Sequence, residues 1–237
     1  MAHPSSSLNK ILLGLFTIAF LLPALQGNVR AQDNGTTVHD SGLDNLQTVT
    51  RSPGELSALA YIVQVGSGGS ATIIQQAGAS AAGAAFGEAH IRQLDGWGNE
   101  ALIHQESATG PHDHEVVQRG DRNTATLRAR AGGQQGTVIQ EGTSNTVRLE
   151  QYGAAGSRAY VRQGRSEPGG DVSGNLIEIY QGMGGDHTLR VIQTGSHNSG
   201  DIIQYGTGAD AFLHQAGDRN NARILQGSSP QRGGHQR

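Results

Sequence analysis

Short stretches of this chain alternate strictly between apolar and polar positions and then end on a glutamine. The fullest of them read NTVRLEQYG, DAFLHQAG and NNARILQG. In the first, Asn145, Val147, Leu149, Gln151 and Gly153 fall on one side of a two-residue period, which predicts a β-strand. An amphipathic helix does not fit, because neighbours three and four residues apart would place glycine and charge on its buried stripe.

The glutamines define an internal repeat. Most successive ones are 11 to 13 residues apart, and two intervals of 18 mark insertions at about 78–88 and 164–173. Counting Ala129, which fills the one slot without a glutamine, the chain has fourteen units. The predicted ladder glutamines are Gln64, Gln75, Gln93, Gln105, Gln118, Gln140, Gln151, Gln163, Gln181, Gln193, Gln204, Gln215 and Gln226.

Gly-x-x-Asn linkers separate the units, as in GTSN at 142–145 and GDRN at 217–220. Glycine and asparagine tolerate positive φ, so we expect tight turns there. Strands and turns of constant length predict an all-β fold, a β-solenoid of about seven two-strand layers over residues 60–228. Stacked layers would bring equivalent amides into cross-β ladders. The predicted ladder asparagines are Asn99, Asn123, Asn145, Asn175, Asn198 and Asn220.

The unit Asn-x-Ala-x-Φ-x-Gln-x-Gly-x-x-Asn, in which Φ is Ile, Leu or Val, resembles the curlin repeat of bacterial curli subunits. The resemblance covers about residues 60–228. It implies a secreted structural subunit that polymerises into extracellular amyloid fibres, a pilus-like material for biofilm matrix and cell adhesion. The implied partners are further copies of the chain, a companion curli subunit, and an outer-membrane secretion pore with its accessory proteins. Whether the chain is a major subunit or a nucleator stays open.

Several positions depart from this repeat. The asparagine slot holds Gly69, Gln134 and Gly156, and Ala129 replaces a glutamine. A broken ladder is expected to weaken stacking locally, because a buried amide without its partner is unfavourable.

The N-terminus has the features of a secretory signal peptide, residues 1–31. Lys10 precedes an apolar run over 11–25, and Val29 and Ala31 are small residues at the −3 and −1 positions of a cleavage site. The run is shorter than the ~20 residues of a membrane span, so we expect no membrane insertion. Residues 32–59 are expected to form a flexible segment with a possible role in secretion targeting, and 229–237 a flexible tail.

Composition favours stacked repeats over an ordinary globular core. The chain has 36 glycines, 4% aromatic residues, no cysteine and a formal net charge of −3. That charge gives no electrostatic support for binding nucleic acid.

Candidate chemistry is sparse. His112-Asp113-His114 resembles a metal-binding cluster, but no fourth ligand is evident, so we expect a solvated loop. No set of residues suggests catalysis or a cofactor, and we do not expect an enzyme. The alternative is a non-polymerising secreted β-solenoid that acts as a binding module or a polysaccharide-active enzyme.

Overall fold

The computed structural model describes residues 28–30, 35–51, 58–77, 87–107, 112–130, 132–153, 156–164 and 172–227. Every regular element among them is a strand. The strands are β1 (Asn28–Arg30), β2 (Thr36–Leu43), β3 (Leu46–Arg51), β4 (Leu59–Ser67), β5 (Ser70–Ala77), β6 (Glu88–Trp97), β7 (Glu100–Ser107), β8 (Asp113–Arg119), β9 (Thr124–Arg130), β10 (Gln135–Glu141), β11 (Thr146–Tyr152), β12 (Arg158–Gln163), β13 (Leu176–Gly182), β14 (Thr188–Thr194), β15 (Ser199–Tyr205), β16 (Asp210–Ala216) and β17 (Asn221–Gln226).

Alternate strands belong to alternate sheets. Odd-numbered strands form a nine-stranded sheet from β1 to β17, and even-numbered strands form an eight-stranded sheet from β2 to β16. All pairings are parallel, and each strand pairs with the strand two places further along the chain, as β9 does with β11. One strand from each sheet makes one turn of the coil. The predicted β-solenoid is therefore confirmed, and strands β4 to β17 make the seven predicted turns.

A narrow apolar core lies between the two sheets. Small residues alternate with branched ones along each inner face, as Ala71 and Ile73 do on β5, and both are fully buried. Neighbouring inner positions compensate in size: a Cβ at Gly200 would lie 2.6 Å from Cδ1 of Ile177, in the adjacent layer of the same sheet, and 2.8 Å from Cδ2 of Leu213, in the other sheet. Because layers touch only their neighbours, each inner side chain depends on the layers directly above and below it.

The turns between sheets have a common geometry. In the turn 142–145, Gly142 has φ 110° and Ser144 has φ 57°. Equivalent turns put Arg122 and Arg219 at φ 53° and 58°. We had expected asparagine to take the positive φ; in these turns the residue before it does. The asparagine side chain instead points into the stack, where it is needed for hydrogen bonding.

The solenoid begins earlier than the predicted residue 60. Strands β2 and β3 lie in the range expected to be a flexible segment, and they continue both sheets by one layer. Asp40 pairs with Gln64 and Arg51 pairs with Gln75, so charged residues occupy both glutamine slots of this layer. Because neither slot holds a glutamine, the spacing of glutamines does not predict the layer formed by β2 and β3. Residues 1–27 of the predicted signal peptide and the tail 229–237 lie outside the described residues.

Candidate functional site

Glutamine side chains form a continuous ladder inside the eight-stranded sheet. Each Nε2 donates to Oε1 of the glutamine in the next layer towards the C-terminus, at 2.5 to 3.0 Å. Their second Nε2–H crosses to the other sheet, where Gln118 reaches the Glu100 carbonyl at 2.9 Å. The ladder thus joins both layers and sheets. Its members are Gln64, Gln93, Gln118, Gln140, Gln163, Gln193 and Gln215.

A second ladder runs through the nine-stranded sheet with the same direction. Here Arg51 Nε donates to Gln75 Oε1 at 2.9 Å and so starts the series. The glutamine bonds that follow it are 2.8 to 2.9 Å long. Its glutamines are Gln75, Gln105, Gln151, Gln181, Gln204 and Gln226. Ala129 lies between Gln105 and Gln151, as its place in the repeat suggested.

His114 closes the gap that Ala129 leaves. It comes from β8 in the opposite sheet, accepts a hydrogen bond from Gln105 Nε2 at 3.0 Å on Nδ1, and donates from Nε2 to Gln151 Oε1 at 3.1 Å. The ladder direction therefore selects the neutral ring with its proton on Nε2. Complete burial, reinforced by the nearby His112, lowers the pKa of His114 from 6.5 to about 3.

The site of His114 is made by small neighbours. Elsewhere in its column the side chain is small or aliphatic, such as Ala89 and Ala159. Directly next to the imidazole, in the following layer of the same sheet, lies Gly136, where an added Cβ would be 2.8 Å from His114 Cδ2 and 3.0 Å from Leu149 Cδ2. Ala129, His114 and Gly136 form one compensated set: two small residues make room for one large ring that supplies the missing amide.

Asparagines form a third ladder that runs in the opposite direction. Asn145 donates from its backbone N and from Nδ2 to Asn123 Oδ1, both at 3.1 Å, and Asn175 does the same to Asn145 at 3.2 and 2.9 Å. Nδ2 of Asn123 also reaches forward to the Gly142 carbonyl at 2.9 Å. The inter-amide bonds thus donate towards the N-terminal layer. Its predicted members are Asn99, Asn123, Asn145, Asn175, Asn198 and Asn220.

This asparagine ladder occupies one corner of the coil only. Asn45 lies two layers before Asn99, and Gly69 takes the asparagine position in the layer between them, where its own N–H donates to Asn45 Oδ1 at 2.9 Å. Gln134, which we had assigned to the asparagine slot, instead lies at the opposite corner, before β10. A two-strand coil has two kinds of turn, and asparagine precedes odd-numbered strands only, whereas residues such as Gln134 and His187 precede even-numbered ones.

The opposite corner contains buried histidines. His112 and His187 are fully buried there and Gln134 is 1% exposed, and none of their side-chain nitrogens or oxygens makes a hydrogen bond of good geometry within the described residues. The prediction that His112-Asp113-His114 is a solvated loop is wrong for its two histidines. Burial lowers the pKa of His112 from 6.5 to about 4, although the Glu106 backbone opposes the shift. Alternation on β8 sends His114 inward and Asp113 outward.

The two ends of the stack differ in chemistry. In the last layer, the inward residues Ala222 and Ile224 are only half-buried, because among the described residues no further layer follows β16 and β17. In the first layer, Asp40 accepts from Asn45 Nδ2 at 2.7 Å and from Gln47 Nε2 at 2.8 Å. Gln64 Oε1 faces this carboxylate, an acceptor like itself, and is buried without a hydrogen bond.

A pocket of about 10 Å³ lies where the asparagine ladder lacks a side chain at Gly69, and it is lined among others by Asn45, Gln64 and Asn99. That volume is close to the least that holds one water molecule.

Comparison with known families identifies the repeat. A family model described as the curlin associated repeat matches residues 115–153. Over that segment the chain is similar to the curlin associated repeat. The matched segment runs from β8 to β11 and includes the Ala129 slot, so the altered layer lies within the match. Comparison with curated proteins and with solved structures finds no match.

Two absences hold for the described ranges. None of the elements there is a helix long and apolar enough to cross a bilayer. Across those same ranges, histidine, cysteine and acidic side chains do not gather in threes around a point where a metal ion could bind.

Proposed function

We propose that this protein is the subunit of an extracellular amyloid fibre and that it polymerises by stacking its last layer on the first layer of another copy. The observation that carries the proposal is that the hydrogen bonds within each ladder all point the same way along the stack. Both glutamine ladders donate towards the C-terminal layer, and the asparagine ladder donates towards the N-terminal layer. In the direction of their ladders, opposite ends of the stack therefore match, while like ends do not.

The edges of the sheets support the same proposal. Among the described strands β16 and β17 end their sheets, and the outer N–H and C=O groups of such edge strands form a template for further parallel strands. The half-buried Ile224 and Ala222 would gain cover from an added layer. At the other end β2 is an edge strand, and β1 pairs with β3. Cleavage after Ala31 would remove β1 and leave β3 as the second edge.

The proposed role is structural. Amides buried inside the stack offer hydrogen bonds to another layer and no group to a substrate. We propose secretion through an outer-membrane pore, assembly at the cell surface, and a contribution to biofilm matrix and adhesion, as in curli-type subunits. The long run of ladders favours a fibre component, while the Ala129 layer and Arg51 are departures that a nucleating subunit could also have.

A pair of substitutions in the last strand tests the stacking. Ile224 points inward and Leu225 is 61% exposed on the outer face. In the chain starting at Gln32, I224K would place a charge in the interface between stacked copies (the joint) and suppress fibre growth. L225K would leave the inner face unchanged and serves as the control. Thioflavin fluorescence and fibre diffraction with a reflection near ~4.8 Å give the readout. Failure of the unsubstituted chain to form fibres, or equal growth of both variants, would count against the proposal.

A further inference from the structure

The first layer differs from the other layers at both glutamine slots. Asp40 takes the slot in the eight-stranded sheet and Arg51 takes it in the nine-stranded sheet, as their pairing with Gln64 and Gln75 shows. When it is ionised, the Asp40 carboxylate offers only hydrogen-bond acceptors. The Arg51 guanidinium offers only N–H donors. The two columns of this layer therefore present opposite chemistry to anything that stacks on it.

The last layer of another copy would present the same group in both columns. Within the chain, Gln193 Nε2 donates to Gln215 and Gln204 Nε2 donates to Gln226. Continuing that direction by one layer, Gln215 and Gln226 each direct an Nε2–H into the joint, since their other bonds run back to the Ser199 and Asp210 carbonyls. The interface between the last layer of one copy and the first layer of the next therefore requires a hydrogen-bond acceptor in each glutamine column.

Asp40 meets that need and Arg51 does not. The Asp40 carboxylate already accepts two hydrogen bonds, and it has lone pairs for a third, charge-assisted one from Gln215. At the asparagine corner, Asn220 Oδ1 would receive the backbone N–H of Asn45, as Asn198 Oδ1 receives that of Asn220 at 3.0 Å. In the other column, Gln226 Nε2–H would face the Arg51 guanidinium, donor against donor.

We propose that Arg51 limits the stacking of one copy on another, so that the joint is satisfied along the eight-stranded sheet and the asparagine corner but opposed along the nine-stranded sheet. The inference rests on the proposed function, because it describes the joint of that fibre. It identifies the joint as a weak boundary between copies. Arg51 keeps a role inside each copy, where it starts the ladder by donating to Gln75.

The test replaces Arg51 by glutamine in the chain starting at Gln32. R51Q supplies both groups that the column needs, an Oε1 for Gln226 of the neighbouring copy and an Nε2–H for Gln75. Removing one opposed buried contact is expected to speed elongation from sonicated seeds about tenfold and to raise the guanidinium concentration that dissolves the fibres. The matched control is R92Q, the same change at an exposed outward position on β6.

The outcomes separate the two proposals. The role of Arg51 is supported if R51Q elongates faster and its fibres need more guanidinium to dissolve, while R92Q behaves like the unsubstituted chain. Fibres that grow and dissolve alike in all three chains, or an equal gain in R92Q, overturn it and leave the proposed function standing. Absence of fibres in all three chains removes the proposed function and this inference with it.

Discussion

His114 donates its Nε2–H to Oε1 of Gln151 across the core, from one sheet to the other, at 3.1 Å. Together with the bond from Gln105 Nε2 to Nδ1, this contact keeps a buried ladder continuous through a layer that has alanine where the repeat has glutamine. An imidazole can do this because its two ring nitrogens act as one acceptor and one donor when it is neutral.

The first prediction concerns this replacement. H114A leaves one hydrogen of Gln105 and Oε1 of Gln151 without partners and opens a cavity, so the free energy of unfolding should fall by about 3–5 kcal/mol. A129Q alone should also destabilise, because the added side chain meets the imidazole. The double variant H114A/A129Q restores the amide and should recover most of the loss, as measured by chemical denaturation. Losses that simply add would contradict the compensation.

The second prediction is a loss of stability in acid. Burial lowers the pKa of His112 to about 4 and that of His114 to about 3, against 6.5 when unfolded. Below pH 6.5 the unfolded chain binds protons that the folded chain does not, so stability is complete above that pH and falls as the pH drops towards 3–4. Denaturation midpoints between pH 7.5 and 4 measure it.

A matched variant isolates one histidine in that experiment. H114A/A129Q lacks the His114 contribution and should lose less stability over the same interval of pH. An identical pH profile in this variant and the unsubstituted chain would show that His114 does not cause the acid sensitivity.

The third prediction tests the asparagine ladder. Asn145 binds Asn123 through its side chain, accepts from Asn175, and donates to the Glu141 carbonyl at 3.2 Å. N145A should lower the free energy of unfolding by about 2–4 kcal/mol, because it also leaves donors of Asn175 unpartnered. The control is N221A at an exposed position on β17, expected to stay within ~0.5 kcal/mol. Equal effects in urea denaturation would refute the ladder's contribution.

The fourth prediction concerns the close approach of turns in neighbouring layers. Gly142 has φ 110°, and an added Cβ would lie 2.1 Å from the Val172 carbonyl oxygen. G142A should therefore push adjacent layers apart and destabilise by about 3 kcal/mol or more. Gly208 has φ 68° and open space around its Cβ position, so G208A carries the backbone strain alone, about 1–2 kcal/mol. Thermal unfolding of the two variants compares them, and similar losses would argue against the steric contact.

Much of the architecture follows from local rules that are readable along the chain. Alternation identifies strands such as β11, and the constant interval between glutamines predicts which residues lie above one another. The pairing of Gln140 with Gln163 and of Gln181 with Gln204 agrees with that alignment. These features were predictable because a parallel stack makes equal sequence position equivalent to equal spatial position.

Other features were not predictable from the repeat. The first layer was not predicted, because Asp40 and Arg51 replace the glutamines that define the repeat. His114 appeared to belong to a polar loop, since its partners Gln105 and Gln151 lie 9 and 37 residues away. The assignment of Gln134 to the asparagine slot failed because the predicted repeat treats both turns as one pattern, whereas asparagine precedes only the odd-numbered strands.

The amino-acid sequence by itself determined the strands, their spacing and the inward direction of the glutamines, because side-chain alternation and an eleven-residue interval act locally along the chain. Only the tertiary structure decided the direction of each ladder, the donor role of His114 and the unequal chemistry of the two end layers. These depend on which groups face each other across layers and between sheets. A hydrogen bond has a direction that residue spacing alone does not contain.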